Sequence, residues 1–552
     1  MYRSRIRATA LALAVLAGVS PMASASMALG DELHSGTVAL APGTEFTTQT
    51  LWSNSRSDLR TERYLTYNPA DGVYPIVYYG DRVLSKYSLT DMSKALESRG
   101  LRVVGGINGD FFDMSTGNAL GVLISDGVLR TTDGAHYAIG FLEDGTAFIG
   151  QPTLSVTATF SGATMRVTDV NKTRTADDGT HEGGLYLYTD EYSRTTQHTS
   201  PGYDVILTPI TEDVGSTVEV DLDVTDEEDM EDASSEESGS DAQEEDTDSR
   251  SETEPSSDQE EISDSQDLDG SAPASGTADV SEVTGPLVLS DQLRVGGRVT
   301  CRVEQVLEST GSIEIPKGKM ILTVNQQNNE WLLGMVQGLQ PGDQVDIDVK
   351  ASDERWNDVV TALGGYYKIV TNGEVGPDTD NTANPRSAIG IKEDGSVVFY
   401  TIDGHQSGYS VGATLTQVAQ RLIELGCVEA VGLDGGGSTT MVATMPDQDA
   451  AQLVNQPSGG TQRAVTNGIF LVSELEPTEE LDHYYVTPYD SIVLSGTQVA
   501  LTATPVDTAG YAFSDDREIT WSISNGDGLV DADGVFTAGS ESGATQITAS
   551  SN

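Results

Sequence analysis

The stretch LDGGGST combines a carboxylate with a glycine run and two hydroxyl groups, so its residue types suit binding of an anion. It comprises Asp434, Gly435, Gly436, Gly437, Ser438 and Thr439. Glycine lets backbone N–H groups approach a ligand with no Cβ in the way, and successive N–H groups can form an anion-accepting nest. The stretch matches neither GxxxxGK[ST] nor GxGxxG, which argues against a nucleotide loop. It is therefore either an anion cradle beside a carboxylate or simply a tight hairpin turn.

A second polar turn, GINGDFFDMSTGNALG, follows the apolar run LRVVGGI. Asn108 and Asp110 can bond sugar hydroxyls, and the ring of Phe111 can pack on the face of a sugar. The alternative is a strand end whose phenylalanines enter the core. The residue types thus predict a sugar subsite, with at least one of Phe111 and Phe112 in the core.

Other polar residues stand at strand ends in the second half of the chain. The planar fork of Arg386, in NPRSAIG, suits bidentate binding of a phosphate, although a lone arginine is more often a surface charge. Asp403 and His405 lie in TIDGHQSGYS; a histidine can titrate near neutrality, and His405 is also open to a bystander role. Arg463 begins the last strand, RAVTNGIFLV. These residues are candidates for the same site.

Two helix-strand units carry the two turns. Thr90 or Asp91 is predicted to cap a helix that ends at Gly100. In TLTQVAQRLIELG, apolar residues at helical spacing predict a second helix that ends at Gly426. AIGFLEDG resembles AIGIKEDG, and GINGD resembles GLDGG, which suggests a degenerate internal repeat. We therefore expect the two turns to lie near each other in one cleft.

Composition limits the partners of the protein. The 552 residues suffice for two or three domains, and the net charge of −56 argues against nucleic acid, which requires clustered Lys and Arg. The window 226–269 holds 21 acidic residues and one arginine, a net charge of −20, with few apolar residues. We expect the segment 223–284 to be a disordered acidic insert, either a solvated spacer or a cation-collecting one.

The N-terminus has the pattern of a secretory signal peptide over residues 1–28. Three arginines precede the apolar run ATALALAVLAGV, and small residues follow, with cleavage expected after Ala25 or Ala28. We expect no transmembrane segment beyond it, and a secreted or cell-surface bacterial protein. Cys301 and Cys427 are the only cysteines in the chain, so a disulfide is permitted but not demanded.

The predicted fold class is α+β: a sheet-rich main domain with a few helices, followed by an all-β module. We expect a lead-in segment over 29–84, the main domain over 85–475 and an incomplete bacterial immunoglobulin-like sandwich over 479–552. Alternating strands and turn signals in the last segment support that assignment.

Taken together, these motifs resemble the phosphodiester glycosidase family. The resemblance rests on NGDFFDMSTGNALG with ISDG, then RSAIG, TIDG, LDGGGST and RAVTNG, in that order over about residues 85–475. It implies hydrolysis of a sugar-1-phosphodiester to free sugar and a phosphomonoester. It also implies a site formed by Asn108, Asp110, Arg386, Asp403, Asp434, Gly435, Gly436, Gly437, Ser438, Thr439 and Arg463. The segment GGYYKIV departs from the pattern, so Tyr366 and Tyr367 are expected to alter the substrate fit.

The implied chemistry leaves several roles open. Asp434 or Asp110 is the nucleophile or the base, with Arg386 and the glycine run holding the departing phosphate. The substrate is expected to be a sugar-phosphate glycan of a cell wall or surface polymer. One alternative is a phosphodiesterase with a divalent cation on Asp110, Asp403 and Asp434. The other is a non-catalytic surface module that binds glycans.

Overall fold

The computed structural model describes most of the chain and leaves out two predicted segments. The described residues are 27–132, 134, 136–174, 184–210, 217–218, 287–326, 330–378, 380–489 and 491–551. The signal-peptide pattern up to residue 26 and the acidic segment 223–284 lie outside them. Within them, no helix is both long and apolar enough to span a membrane.

The first part of the chain supplies the strands of the core and one helix. These elements are β1 (Asp31–Ala41), β2 (Thr44–Ser53), β3 (Asp58–Tyr67), β4 (Val73–Tyr78), α1 (Leu89–Glu97), β5 (Arg102–Asn108), β6 (Leu123–Ser125), β7 (Val128–Thr131), β8 (Tyr137–Phe141) and β9 (Ala147–Gly150). Residues 29–84, expected to be a lead-in, thus form four strands of the core. The cap of α1 is Ser88 rather than Thr90 or Asp91, because the Ser88 hydroxyl accepts from the Asp91 N–H at 3.2 Å.

The middle part of the chain forms a closed barrel. Its elements are β10 (Leu154–Phe160), β11 (Ala163–Val170), β12 (Leu185–Thr189), β13 (Gly202–Pro209), β14 (Thr217–Val218), β15 (Leu287–Leu289), β16 (Gly297–Ser309), β17 (Met320–Asn325), α2 (Glu330–Gln337) and β18 (Gln344–Ala351). Seven strands pair in the order β13-β17-β12-β11-β10-β18-β16, and pairing of β13 with β16 closes the ring. Buried apolar side chains such as Val156, Leu187 and Ile347 form its core.

The chain then returns to the core and ends in a small all-β module. The core elements are β19 (Thr361–Gly365), β20 (Tyr367–Thr371), β21 (Glu374–Val375), β22 (Arg386–Lys392), β23 (Val397–Ile402), α3 (Leu415–Glu424), β24 (Cys427–Gly432), β25 (Met441–Ala443), β26 (Gln452–Leu453) and β27 (Gly468–Ser473). The module contains β28 (Leu481–Thr487), β29 (Gln498–Ala500), β30 (Thr502–Asp507), β31 (Ile519–Asn525), β32 (Gly528–Val530), β33 (Val535–Ala538) and β34 (Gln546–Ser551).

Three sheets make up the core. The largest has the order β1-β2-β3-β23-β22-β24-β20-β21, and the others are β26-β25-β5-β27-β4 and β7-β6-β19-β8-β9. β5 and β24 therefore lie in different sheets and bring their ends together between them. The predicted sheet-rich α+β class is confirmed.

The C-terminal module is all-β, as expected, while its immunoglobulin-like character stays a prediction. It packs on the core through Arg102, whose guanidinium lies 4.4 Å from the centre of the Tyr511 ring and donates to the Gly510 carbonyl at 2.8 Å. Cys301 and Cys427 are buried, free thiols, and burial raises the pKa of each to about 12.

Helix α3 is fixed to the large sheet by a buried ion pair. Thr414 and Gln417 form a capping box at its start. Arg421 donates to one oxygen of Glu62 at 2.8 and 2.9 Å, and the Tyr400 hydroxyl donates to the other at 2.7 Å. Glu62 is fully buried, so water cannot replace Arg421 as the partner of its charge.

We expect Arg421→Met to lower the free energy of unfolding by about 3–5 kcal/mol, because it leaves the buried Glu62 carboxylate unpaired. Urea denaturation measures this loss. The double variant Arg421→Met with Glu62→Gln should recover part of it, since no buried charge then remains. A loss below about 1 kcal/mol for the single variant would contradict this account.

Candidate active site

The two polar turns meet, as the internal repeat predicts. The side chain of Asn108 donates to the Asp434 carbonyl at 2.7 Å, and the Asp434 N–H donates to the Gly109 carbonyl at 3.1 Å. The amide oxygen of Asn108 accepts from the Ser387 hydroxyl at 2.7 Å and from the Thr440 N–H at 3.1 Å. Asn108 is fully buried, so it joins the ends of three strands and positions the site.

Asp110 is held at the base of the site by backbone and glycine contacts. Its N–H donates to the Asn467 side chain at 2.8 Å, and its Oδ2 accepts from the Gly121 N–H at 2.6 Å. A Cβ at Gly364 would lie 2.7 Å from that oxygen, so glycine is needed there. Burial raises the pKa of Asp110 to about 7, and the charge of Asp434 adds to this rise.

Asp434 is the second carboxylate, in a more polar setting. Burial raises its pKa to about 6, while the Ser438 hydroxyl, the Arg463 guanidinium and the Gly435 N–H hold the pKa lower than burial alone would. Both carboxyl groups therefore titrate near neutrality, with Asp434 losing its proton first. Carboxyl groups whose environments separate their pKa values in this way can divide acid and base roles between them.

Some N–H groups of the nest predicted for the glycine run are already bonded within the protein. The Gly436 N–H donates to the Pro385 carbonyl at 2.9 Å, and the Ser438 N–H donates to the Gly435 carbonyl at 3.1 Å, in a 3₁₀ turn. Each of the three positions requires glycine for a different steric reason. A Cβ at Gly435 would lie 2.9 Å from the Pro385 carbonyl oxygen, Gly436 has a φ of +58°, and a Cβ at Gly437 would lie 2.4 Å from the Arg463 guanidinium.

The two arginines predicted for the site differ in whether their guanidinium groups already have an ion-pair partner. Arg386 is buried and donates to the Asp380 carboxylate at 2.5 Å and to the Thr382 carbonyl at 2.9 Å. Arg463 is half-buried and donates to the Ser438 hydroxyl at 3.3 Å, with no ion-pair partner among the described residues. Arg463 is therefore the better placed of the two to receive an anionic ligand.

Asp403 is engaged in fixing loops. Its carboxylate accepts from Arg63 at 2.8 Å, the Tyr409 hydroxyl at 2.9 Å, Asn455 at 2.8 Å and the Gln456 N–H at 3.1 Å. These four donors occupy the acceptor positions of the group. Nothing in this geometry favours a catalytic role for Asp403.

The cation site considered for Asp110, Asp403 and Asp434 does not form. Across the described ranges, no group of three or more His, Cys, Asp or Glu side chains is arranged to hold a metal ion. His405 is exposed on its loop and pairs with the side chain of Asn384 at 2.9 Å. The Thr439 hydroxyl is buried and has no hydrogen-bond partner within the described part of the chain.

Four rings, called the ring wall below, cluster beside the Asp110 turn. Phe111 lies edge-on to Tyr366 and Tyr367, with ring centres 5.6 Å apart in both pairs, and His136 lies 4.6 Å from Tyr366. Phe111 and both tyrosines are half-buried, which leaves ring surface exposed for a ligand. Phe112 packs instead against the apolar cluster around α1, as expected for one of the two phenylalanines.

Lys172 reaches this site from the barrel and was not predicted from the sequence. Its ammonium donates to the Leu120 carbonyl at 2.8 Å, and its charge lowers the pKa of Asp110. A single lysine between two strands carries no local motif, so only the fold reveals it. Asn467, by contrast, stands in the motif RAVTNG, and its role as the acceptor for the Asp110 N–H needed the structure.

Comparison with known proteins agrees with the resemblance seen in the motifs. The family model described as phosphodiester glycosidase matches residues 294–472, a range that includes Asp434 and Arg463 but not Asp110. The SPbeta prophage-derived uncharacterized protein YomE of Bacillus subtilis is 36% identical over 87 residues. That match covers 16% of this chain and 12% of YomE.

One solved structure shows a related fold. A hypothetical protein from Synechocystis aligns with a TM-score of 0.52 at 15% identity, over 80% of this chain and 64% of that one. The chain thus spans under two thirds of that protein. The catalytic domain of zebrafish N-acetylglucosamine-1-phosphodiester alpha-N-acetylglucosaminidase, auto-inhibited by its pro-peptide, aligns with a TM-score of 0.33 at 12% identity, over 79% of this chain and 87% of that one. About a third of the chain, residues 294–472, is thus similar to the phosphodiester glycosidase family.

Proposed function

We propose that the protein hydrolyses the glycosidic bond of sugar-1-phosphodiesters, releasing free sugar and a phosphomonoester. The observation that carries the proposal is the pair formed by Asp110 and Asp434, whose turns are hydrogen-bonded to each other beside the guanidinium of Arg463. Hydrolysis at a sugar carbon by two carboxyl groups is the usual chemistry of glycosidases. The family of the domain supports the same reaction.

In this proposal the two carboxyl groups have different roles. Asp434, with the lower pKa, is the ionised group that attacks the anomeric carbon or activates water. Asp110, which keeps its proton to about pH 7, protonates the departing phosphate oxygen. The bond from the anomeric carbon to oxygen breaks, its electron pair leaves with the phosphate, and the hydroxyl of water ends on the sugar. A phosphomonoester has a second pKa near 6, so an acid of similar pKa is well matched to it.

Arg463 supplies the positive charge that this reaction requires. The diester carries one negative charge, and further negative charge builds on the departing oxygen as the bond breaks, until Asp110 has delivered its proton. A guanidinium at the phosphate therefore stabilises the transition state more than the bound substrate. The side chain of Arg386, already paired with Asp380, supports the wall behind Gly435.

In this proposal the ring wall binds the sugar end of the substrate. The exposed faces of Phe111 and Tyr366 suit packing against the apolar face of a pyranose, and the polar turn beside them suits its hydroxyls. We further propose an exported protein that acts on an extracellular or cell-wall glycan, since the first 28 residues have the signal-peptide pattern.

Product analysis on a defined sugar-1-phosphodiester tests the function. The purified full chain should release free sugar and a phosphomonoester, detected by NMR, which also reports the anomer formed first. Release of a sugar phosphate instead would mean cleavage on the phosphorus side and would overturn the proposal. Binding of the diester with no turnover over a broad panel would favour a glycan-binding role.

We expect Gly437→Ala to lower kcat/KM by about tenfold, because the added methyl group displaces the guanidinium of Arg463. The displaced group is the flexible end of a side chain, so the melting temperature should stay within a few degrees. Gly459→Ala is the matched control, since a Cβ there meets nothing within 4 Å. Equal kinetics for both variants would count against Arg463 as the phosphate ligand.

A further inference from the structure

The barrel presents Lys172 to the active site on a fixed piece of backbone. Asn171 precedes it, is fully buried and has a φ of 54°, a left-handed conformation that asparagine tolerates. Its side-chain amide donates to the Arg130 carbonyl and to the Thr189 hydroxyl, both at 2.8 Å. The backbone just before Lys172 is therefore anchored from two directions.

The residue after Lys172 is anchored as well. The Thr173 hydroxyl pairs with the Tyr192 hydroxyl at 2.6 Å, and it accepts from the side chain of Asn118 at 3.0 Å. Asn118 belongs to the loop that follows the Asp110 turn, so this contact joins the barrel directly to the catalytic core. Lys172 thus stands between two fixed residues, unlike a lysine on a mobile surface loop.

The ammonium group of Lys172 lies next to the Leu120–Gly121 peptide, whose N–H donates to Asp110 Oδ2 at 2.6 Å. It donates to the Leu120 carbonyl at 2.8 Å, which accounts for one of its three N–H groups. Across the described residues it has no carboxylate within ion-pair distance, although its charge is felt by Asp110 and by His136 in the ring wall. Arg463 acts in the same way on Asp434. The two carboxyl groups are thereby flanked by two cations from distant parts of the chain.

We propose that the inserted barrel completes the active site, with Lys172 binding the substrate phosphate from the Asp110 side while Arg463 binds it from the Asp434 side. The inference rests on the proposed function and names its second phosphate ligand. The N–H groups of Lys172 not bonded to Leu120 suit a phosphate oxygen. A substrate held this way lies between the barrel and the core, so the barrel limits which glycans enter.

Calorimetric titration of the full chain with inorganic phosphate tests this without any turnover. Lys172→Gln keeps an N–H donor for the Leu120 carbonyl but removes the charge, and we expect it to weaken phosphate binding about tenfold or more. Lys172→Arg restores the charge and should bind within about threefold of the wild type. Lys319→Gln is the control, because Lys319 lies on the same barrel and pairs with Glu304.

The outcomes separate this inference from the proposed function. Wild-type affinity in Lys172→Gln would mean that the lysine only clamps the Leu120 loop, which overturns the inference. An equal loss in Lys319→Gln would overturn it too, because the effect would then reflect the overall charge of the barrel. If the wild type binds phosphate through Lys172 but cleaves no sugar-1-phosphodiester, the proposed function fails while the phosphate site stands.

Discussion

Asp434→Asn should lower kcat/KM by about 10³- to 10⁴-fold while the protein stays folded. The change removes the carboxylate that is ionised at neutral pH and beside Arg463, and it keeps the size of the side chain. Its backbone contacts with Gly109 and Asn108 do not depend on the carboxylate. Steady-state kinetics on a sugar-1-phosphodiester, with a thermal melt of each variant, measures both properties.

The matched control for this experiment is Asp449→Asn, since Asp449 is exposed on the loop between β25 and β26. It should have the kinetics of the wild type. A residual activity of Asp434→Asn within tenfold of the wild type would remove Asp434 from the chemistry. The reaction would then have to depend on Asp110 alone.

Asp110→Asn should produce opposite effects on activity and stability. Removing the proposed acid is expected to lower kcat/KM by about 10²- to 10⁴-fold. The pKa of Asp110 is about 7 in the folded protein against 3.8 ordinarily, so the folded state holds its proton more tightly than the unfolded chain does. Ionising the buried group lowers the free energy of unfolding, and this loss grows as the pH rises from about 4 to about 7.

Asparagine carries no such charge and can still accept from the Gly121 N–H. At pH 8 the variant should therefore exceed the wild type in free energy of unfolding by about 1–4 kcal/mol, and near pH 4 the two should differ little. Urea denaturation at both pH values measures this. If the variant is less stable than the wild type at pH 8, ionisation of Asp110 does not lower the free energy of unfolding.

The same two pKa values shape the activity of the wild type. The rate should rise as Asp434 ionises near pH 6 and fall as Asp110 loses its proton near pH 7, which gives a narrow maximum between them. In Asp110→Asn the falling limb should disappear from the residual activity. These apparent values belong to the interacting pair.

The sequence predicted the parts of the fold whose signals are local. Helix α3, with its apolar residues at helical spacing and its Gly426 end, matches the prediction closely, since Leu415 and Leu422 are buried. The meeting of the Asn108 and Asp434 turns followed from two similar helix-strand-turn units. For α1 the cap was wrong by two or three residues, because several polar residues in a row compete for that position.

The barrel was missed because its closure depends on distant partners. β13 pairs with β16 across the acidic segment, and β10 pairs with β18 almost two hundred residues later. Strand patterns say which residues form strands but not which strands pair at such separations. Lys172 was missed for the same reason, as it enters the site only through that closure.

The site residues show a second limit, since residue type does not reveal what a side chain already binds. Arg386 and Arg463 are equal candidates by chemistry, but among the described residues Arg386 forms an ion pair, with Asp380, and Arg463 forms none. Asp403 and Asp434 are likewise both carboxylates at strand ends, and four donors already surround Asp403. The glycine run predicts N–H groups that face an anion, whereas steric room for Arg463 explains Gly437.

The pairing of β10 with β18 also affects how the core can assemble. Leu154 lies opposite Ala351 in that pairing, so the chain enters and leaves the barrel at one place. Strand β8 is hydrogen-bonded to both β9 and β19. These two strands lie immediately before and after the barrel along the chain. Once the barrel has folded, β9 and β19 are joined by little more than 151–153 and 352–360. The entropic cost of closing a loop grows with the logarithm of its length. The shorter connection therefore lowers the entropic cost of bringing β9 and β19 together on β8 by about 2 kcal/mol. The barrel thus acts on the core as a short, stiff connection.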